Sequence, residues 1–216
     1  MMNIAIIGAG NVGSALGGSM DGAGHHIRYG LRDPSAEKVQ PLARDRASLH
    51  TIRDAVEGAE VVILAVPWKA AQSALDAVGD FGGRILVDAT NPIGPGFSLT
   101  HGHTDSGGEQ VARWAPTARV VKCFNSTGAE NMASTAYDHD GLRPAMFLCG
   151  DDEDACAVVS RLAADIGFEP FVAGGLIRAR LLEPLALVWI NQAMMRREGR
   201  NIALAVMRRG AEAIRR

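Results

Sequence analysis

Three glycines near the N-terminus constrain the fold of this 216-residue chain more than any other feature of its sequence. The segment Gly8-Ala9-Gly10-Asn11-Val12-Gly13 has the spacing G-x-G-x-x-G, follows the apolar run NIAII and opens a segment of helical period at residues 14–20. In this context the first glycine permits a tight turn, the second lets backbone amides approach a pyrophosphate, and the third lets helix pack closely on strand. The segment therefore predicts a βαβ unit that binds a dinucleotide through Gly8, Ala9, Gly10, Asn11, Val12 and Gly13.

Short apolar runs alternate with segments of helical period along the chain. Seven of them are predicted strands, at residues 3–8, 26–30, 61–66, 85–88, 119–124, 145–149 and 168–172. Most are continuously apolar, as strands covered on both faces are. The pattern predicts an α/β fold with a doubly wound, mainly parallel Rossmann sheet.

The pattern becomes wholly helical after Gly174 and Gly175, through residues 176–196 and 201–209. At about 150 residues per domain, the length corresponds to one domain and an appendage. We predict a dinucleotide-binding domain at residues 1–173 and a small C-terminal helical extension at residues 174–216.

Several helix starts carry capping signals. Ser106 and Glu109 form a capping box before residues 107–114, and Thr51 with Asp54 repeats the signal before residues 52–57. The acidic run at residues 151–154 suits the positive end of another helix. Asp33 followed by Pro34 predicts a further helix start.

Charge and cysteine content exclude several classes of partner. Lys and Arg number 22 against 24 Asp and Glu, so no global field attracts nucleic acid or anionic lipid. The three cysteines are odd in number and never form C-x-x-C, which argues against a disulfide framework and a zinc site.

The first strand begins where an export signal would lie, and the apolar residues 181–190 are fewer than the roughly 20 that span a bilayer. We expect a cytoplasmic protein with no nucleic-acid partner and no transmembrane helix.

The end of the second predicted strand favours NADP over NAD. It reads Tyr29-Gly30-Leu31-Arg32, with an arginine where a guanidinium can bind a 2′-phosphate and an NAD site would have a carboxylate. Asp33 is the alternative carboxylate, one position further on. Lys38 either adds a second positive charge or is a solvated surface lysine. We place Leu31, Arg32 and Lys38 at the adenosine ribose.

Three further strand ends should point into the same crevice, because ligands of such sheets bind outside the carboxyl ends of the strands. Ala65-Val66-Pro67 can form an apolar wall, and Asn91-Pro92 offers an amide to a carboxamide. Asn125 lies on the same rim and is the candidate catalytic residue. Each of these residues, taken alone, could equally be an ordinary turn residue. Taken together, they outline a pocket.

The stretch at residues 90–105 has no periodic pattern, and a loop of that length is usually functional. His101, His103 and Asp105 form H-x-H-x-D, which fits a metal ligand set, a proton donor to the acceptor or a solvated loop. Cys123 is the one thiol near the crevice, and a buried small hydrophobe is its favoured interpretation. No hydrolase motif is present.

The chain resembles the NADP oxidoreductases that act on the deazaflavin coenzyme F420 and their bacterial dinucleotide-binding relatives. The segments that carry the resemblance are IAIIGAGNVGSALG, GHHIRYGLRDP, VVILAVPW, LVDATNP, VVKCFNSTGAENM, FLCGDDEDA and AGGLIRARLLEPLALVWI. The resemblance implies that NADP(H) lies along the glycine loop, that Arg32 holds its 2′-phosphate, and that the acceptor stacks on the nicotinamide between the strand ends and the tail. It also implies a homodimer.

Two positions depart from the family pattern. The family usually has a small hydroxyl residue at the position of Leu31, and deazaflavin reductases tend to have a histidine near that of Asn125. In this respect the chain is more similar to the bacterial relatives and to the cytosolic domains of membrane ferric reductases.

Three functional hypotheses follow. The first is an NADPH-dependent oxidoreductase that transfers a hydride to a flavin-like acceptor, with coenzyme F420 as the favoured one. The second is an NADPH-dependent reductase of another small substrate: a flavin, a quinone, an imine or a carbonyl compound. The third is a non-catalytic NADP-binding sensor.

Overall fold

The computed structural model describes residues 1–137 and 141–209. Eight strands form one sheet in the order β3-β2-β1-β4-β5-β6-β7-β8. The strands are β1 (Asn3–Ile7), β2 (His26–Leu31), β3 (Ala47–Thr51), β4 (Val61–Leu64), β5 (Ile85–Asp88), β6 (Arg119–Lys122), β7 (Ala145–Gly150) and β8 (Glu169–Val172). The α-helices are α1 (Asn11–Gly22), α2 (Ile52–Glu57), α3 (Ala71–Val78), α4 (Gly107–Trp114), α5 (Ala129–Ala133), α6 (Glu153–Asp165) and α7 (Ala179–Ile190).

The predicted doubly wound α/β fold is confirmed. The strands from β3 to β6 pair in parallel, β7 is antiparallel to β6, and β8 is parallel to β7. Strand order reverses between β1 and β4, so the crevice at their carboxyl ends is the expected ligand site.

Both faces of the sheet are covered, which explains the continuously apolar strands. In β1, Ile4 and Ile6 belong to the core on one face, whereas Ala5 and Ile7 belong to the core on the other. Successive side chains point to opposite faces, so a strand buried on both sides needs apolar residues at every position.

Three of the four predicted capping signals correspond to real helix starts. Ser106 Oγ accepts a hydrogen bond from the amide of Glu109 at 3.1 Å, and Thr51 Oγ1 accepts from that of Asp54 at 3.3 Å. Asp152 Oδ1 accepts from the amide of Ala155 at 2.7 Å and caps α6. No α-helix follows Asp33; a turn there leads to the 3-10 helix Glu37–Leu42, which contains Pro41.

Two elements differ from the predictions. Strand β3 was missed because it is a half-exposed edge strand, ASLHT, with no apolar run. The helix predicted at residues 201–209 is wrong: this segment is irregular, and Arg197 and Gly199 before it have positive φ. Carbonyl groups of this segment instead accept hydrogen bonds from the rest of the fold. Ile202 O accepts from Trp189 Nε1 and Leu204 O from the Ala145 amide, both at 2.7 Å.

The predicted division at residue 174 stays a prediction, and residues 210–216 of the predicted extension lie outside the described residues. Within residues 1–137 and 141–209, no helix has both the length and the apolarity to cross a membrane.

Candidate active site

The glycine loop turns sharply between β1 and α1. Gly8 has φ +105°, a conformation that residues with a Cβ rarely adopt, and a Cβ there would lie 2.5 Å from the carbonyl oxygen of Ala65. A Cβ on Gly13 would collide with the carbonyl oxygen of Gly8. These two glycines therefore serve the turn and the close packing of α1, as their spacing predicts.

Gly10 differs from both, because a Cβ built on it would meet no atom within 4 Å. It is the N-cap of α1; within the described ranges no side chain caps this helix end, and the first turn contains no acidic residue. Among the described residues, no side chain accepts a hydrogen bond from the amides at this positive helix end, which include those of Asn11 and Val12. This cradle fits a pyrophosphate group.

Arg32 and Lys38 are exposed beside the end of β2. In the described part of the chain, no group accepts a hydrogen bond from the Arg32 guanidinium. Asp33 accepts from the hydroxyl of Ser35 at 2.6 Å and from its amide at 2.9 Å, and these bonds hold the pKa of the Asp33 carboxyl below its usual range. The Leu31 side chain is buried in the core, so it provides no side-chain contact at the end of β2. The free cationic group at this strand end fits a 2′-phosphate.

The end of β4 forms an apolar wall against the glycine loop. The Ala65 amide donates to the Ile7 carbonyl at 2.9 Å, which continues the β1–β4 pairing one residue past the end of β4. Val66 packs against Gly8, and Pro67 is exposed beside it. The wall therefore borders the cradle directly.

Asn91 and Asn125, after β5 and β6, bond to each other. Asn91 Nδ2 donates to the Asn125 carbonyl at 2.8 Å, and Asn125 Nδ2 donates to Asn91 Oδ1 at 3.0 Å and to the Leu182 carbonyl at 3.1 Å. Asn125 is 96% buried, yet its Oδ1 has no hydrogen-bond partner among the described residues. Phe124 before it has φ +59°, a strained value for a bulky residue. A buried acceptor without a partner among the described residues and a strained backbone are both features that cluster at functional sites.

A cluster of buried charges lies beneath the asparagine pair, and sequence reasoning missed it. Lys122 Nζ is 2.8 Å from Asp88 Oδ2 and 2.9 Å from Glu183 Oε1, and all three side chains are shielded from solvent. Burial lowers the pKa of the Lys122 ammonium, but the two carboxylates outweigh burial and raise it above its ordinary value. The sequence did contain a signal for this cluster: Asp88 and Lys122 each end an apolar strand, and Glu183 lies within an apolar helix.

A cavity of about 500 Å³ lies between the loop after β5 and helix α7. It is lined by Leu99, Gly102, His103, Arg180, Leu181, Pro184 and Leu187. Arg180 donates two hydrogen bonds to Glu109, at 2.9 and 2.7 Å, and these hold the pKa of the Glu109 carboxyl below its usual range. The cavity is an apolar slot with an oriented cation in its wall.

The H-x-H-x-D residues do not converge. His101 packs on Trp68, with ring centroids 5.4 Å apart, His103 lines the cavity, and Asp105 pairs with Arg113 at 2.6 Å. In the ranges that the structure covers, no three His, Cys, Asp or Glu side chains are grouped as a metal site. Cys123 is fully buried, and burial raises the pKa of its thiol.

The predicted cofactor residues thus lie along one edge of the sheet, from Arg32 through the glycine loop to Asn125. Pro92 is buried beside Asn91, where its ring faces Gly107. Among the described residues, the side of Gly10 is open, the Arg32 guanidinium has no acceptor, and the buried Oδ1 of Asn125 has no donor.

Comparison with known proteins agrees with this geometry. Residues 3–92 match the family model described as "NADP oxidoreductase coenzyme F420-dependent". The F420-dependent NADP reductase of Methanothermobacter marburgensis is 32% identical over 210 residues, which cover 88% of this chain and 92% of that protein. The rat metalloreductase STEAP3 is 31% identical over 184 residues, but the chain spans only 36% of its length.

A solved structure from Arthrobacter sp. FB24, described as a candidate F420-dependent NADP reductase, is also similar. It superposes with a TM-score of 0.83 at 32% identity and covers 96% of this chain and 100% of that one. The cofactor of the matched family is NADP. The chain therefore belongs to the F420-dependent NADP oxidoreductase family and is an NADP-dependent oxidoreductase.

Proposed function

We propose that this protein transfers a hydride between NADPH and a planar, flavin-like acceptor, and that the acceptor is coenzyme F420. The observation that carries the proposal is the apolar cavity between the loop after β5 and α7, which has Arg180 in its wall. The same helix presents the Leu182 carbonyl to which Asn125 Nδ2 donates. The similarity to F420-dependent NADP reductases along most of their length supports the choice of acceptor.

The cofactor contacts follow from the order of groups along the crevice. Arg32 and Lys38, with the backbone of Leu31, bind the 2′-phosphate and its ribose. The residues from Gly8 to Gly13 bind the pyrophosphate through backbone amides. Ala65, Val66 and Pro67 form the apolar wall, and Asn91, Pro92 and Asn125 enclose the nicotinamide.

Asn125 is the candidate catalytic residue. Its Oδ1 is buried and has no hydrogen-bond partner among the described residues, and it would accept from the carboxamide of the nicotinamide once the Asn125 side chain turns toward the crevice. Bound NADP supplies or receives the hydride. The protein's part is alignment of two rings, because hydride transfer depends mainly on proximity and orientation and needs no nucleophilic residue.

The substitution Gly10→Val tests the pyrophosphate cradle. A side chain at this position meets open space in the protein but occupies the volume assigned to the pyrophosphate. We expect the Kd for NADPH to rise at least about tenfold, while the free energy of unfolding falls by no more than about 1 kcal/mol. Calorimetric titration and urea denaturation measure the two quantities.

Gly18→Val is the matched control. Gly18 lies on the same helix, and a Cβ there also meets no atom within 4 Å, yet it is two turns away from the cradle. NADPH affinity should be unchanged in this variant. Equal loss of affinity in both variants would count against a pyrophosphate site at Gly10.

A sequential titration tests the reaction. The purified protein is titrated with NADPH and with NADH, and coenzyme F420, FMN and FAD are then added in turn while the absorbance of reduced nicotinamide is followed. We expect selective oxidation of NADPH with F420. Oxidation only with FMN or FAD would make the protein a flavin reductase. Tight binding without oxidation would exclude the F420 assignment and leave quinones, imines, carbonyl compounds or a sensor role.

We also propose that the protein acts as a cytoplasmic homodimer. The apolar side chains of Ile177, Leu181 and Val188 are exposed on one face of the C-terminal helical segment and support self-association. All three cysteines are buried and unpaired, as suits a reducing compartment. Sedimentation equilibrium of the full chain should give twice the monomer mass.

A further inference from the structure

Lys122 joins three parts of the fold through its ammonium group. Its Nζ contacts Asp88 Oδ2 at 2.8 Å, the Thr90 carbonyl at 2.7 Å and Glu183 Oε1 at 2.9 Å. An ammonium has three donors, so its capacity is fully used. The two strand-end residues and α7 are thereby connected through one buried group.

One branch leads to Asn91. Asp88 Oδ1 accepts from the amide of Thr90 at 2.9 Å and from its hydroxyl at 2.6 Å. Lys122 holds the carbonyl of the same residue. Every polar group of Thr90 is therefore engaged, and the peptide plane that precedes Asn91 has a single orientation.

The other branch leads to Asn125. Glu183 accepts from the amides of Gly107 and Gly108 at 2.9 and 3.0 Å, which secures α7 to the N-terminus of α4. Leu182, its neighbour, presents the carbonyl to which Asn125 Nδ2 donates. The position of Glu183 thus decides where the Asn125 amide points.

We propose that Lys122 is a positioning residue, which orients the Asn91–Asn125 pair toward the nicotinamide through Thr90 on one side and through Glu183 and Leu182 on the other. This inference rests on the proposed function, in which the pair encloses the nicotinamide. According to this inference, the buried ions affect how the nicotinamide half of the cofactor binds. They do not affect the adenosine half, which Arg32 and the glycine loop bind.

A purely structural role predicts a different result. If the ions only attached α7 to the sheet, their loss would reduce stability and would affect the two halves of the cofactor alike or not at all. Adenosine 2′,5′-bisphosphate separates the two cases, because it carries the 2′-phosphate and lacks the nicotinamide.

The test uses Glu183→Gln in the full chain, with Lys122→Met as a second variant. Glu183→Gln retains the shape and one acceptor oxygen but removes the charge opposite Lys122. Binding of NADPH and of adenosine 2′,5′-bisphosphate is measured by calorimetry, and the fluorescence of bound NADPH reports the surroundings of its nicotinamide.

We expect the Kd for NADPH to rise about tenfold, consistent with the loss of one or two hydrogen bonds. The Kd for the bisphosphate should change less than about twofold, and the fluorescence of bound NADPH should move toward that of the free nucleotide. Val159→Ala is the control, because it removes buried apolar volume from α6 without touching the ions. It should lower stability and leave both Kd values and the fluorescence unchanged.

Parallel weakening of both ligands in Glu183→Gln, or unchanged NADPH affinity and fluorescence, would overturn the inference. Failure of the wild-type protein to bind either ligand would instead overturn the proposed function. If Lys122→Met does not fold, the result for Glu183→Gln alone decides whether the inference holds.

Discussion

The substitution Lys122→Met should lower the free energy of unfolding by about 3–5 kcal/mol. Methionine matches the length of the lysine side chain, so packing is largely preserved. The loss arises because Asp88 and Glu183 remain fully buried without their shared cation. Breaking a buried ion pair from one side leaves an uncompensated charge in a medium of low polarity. Urea denaturation of both proteins measures the difference.

Lys69→Met is the matched control, since Lys69 is exposed in the 3-10 helix Trp68–Ala70. It should change the free energy of unfolding by less than about 0.5 kcal/mol. A loss of similar size in both variants would mean that the buried ions contribute little.

The ionised state of Lys122 also sets a pH dependence. Its pKa is raised in the folded protein above the ordinary 10.5, because the two carboxylates outweigh burial. A group with a raised pKa contributes its full stabilisation below its unfolded pKa and loses it as the pH rises through the folded value. The contribution of Lys122 should therefore be constant from pH 7 to pH 9 and decline only in strongly alkaline solution.

The second large effect is expected at the other end of the crevice. Arg32→Gln should raise the Kd for NADPH about 100-fold and change the Kd for NADH less than about threefold. A guanidinium forms charge-assisted, paired hydrogen bonds with a phosphate, whereas glutamine offers one neutral donor group. NADH lacks the 2′-phosphate and so does not depend on this contact. Calorimetric titration with both nucleotides gives the ratio.

Arg161→Gln provides the control, because Arg161 is exposed on α6, away from the glycine loop. Its NADPH affinity should equal that of the wild-type protein. Equal weakening of NADPH and NADH in Arg32→Gln would show that Arg32 does not bind the 2′-phosphate.

Local pattern was sufficient for most of the fold. The strands β1, β4 and β5 are buried on both faces, and their sequences NIAII, VVIL and ILVD show it directly. Strand β3 and residues 201–209 were mispredicted because their conformations depend on partners distant in sequence: β2 for the strand, and Trp189 and Ala145 for the tail.

The same distinction holds for the site. The glycine loop and Arg32 could be predicted as candidate site residues because each follows from a short local sequence pattern. The ion cluster was not, because Asp88, Lys122 and Glu183 are 34 to 95 positions apart and only the packed fold brings them together. The cavity depends equally on long-range placement, since α7 closes a space whose opposite wall lies about 80 residues earlier in the chain.

The reversed direction of β7 and β8 has an architectural consequence. Because β8 runs antiparallel to the first six strands of the sheet, the helix that follows it returns toward their carboxyl edge. Leu176 lies beside Asp151 near the end of β7, and Leu182 and Glu183 already reach Asn125 and Lys122. One helix of 12 residues, about 18 Å long, thus closes the crevice from the same chain.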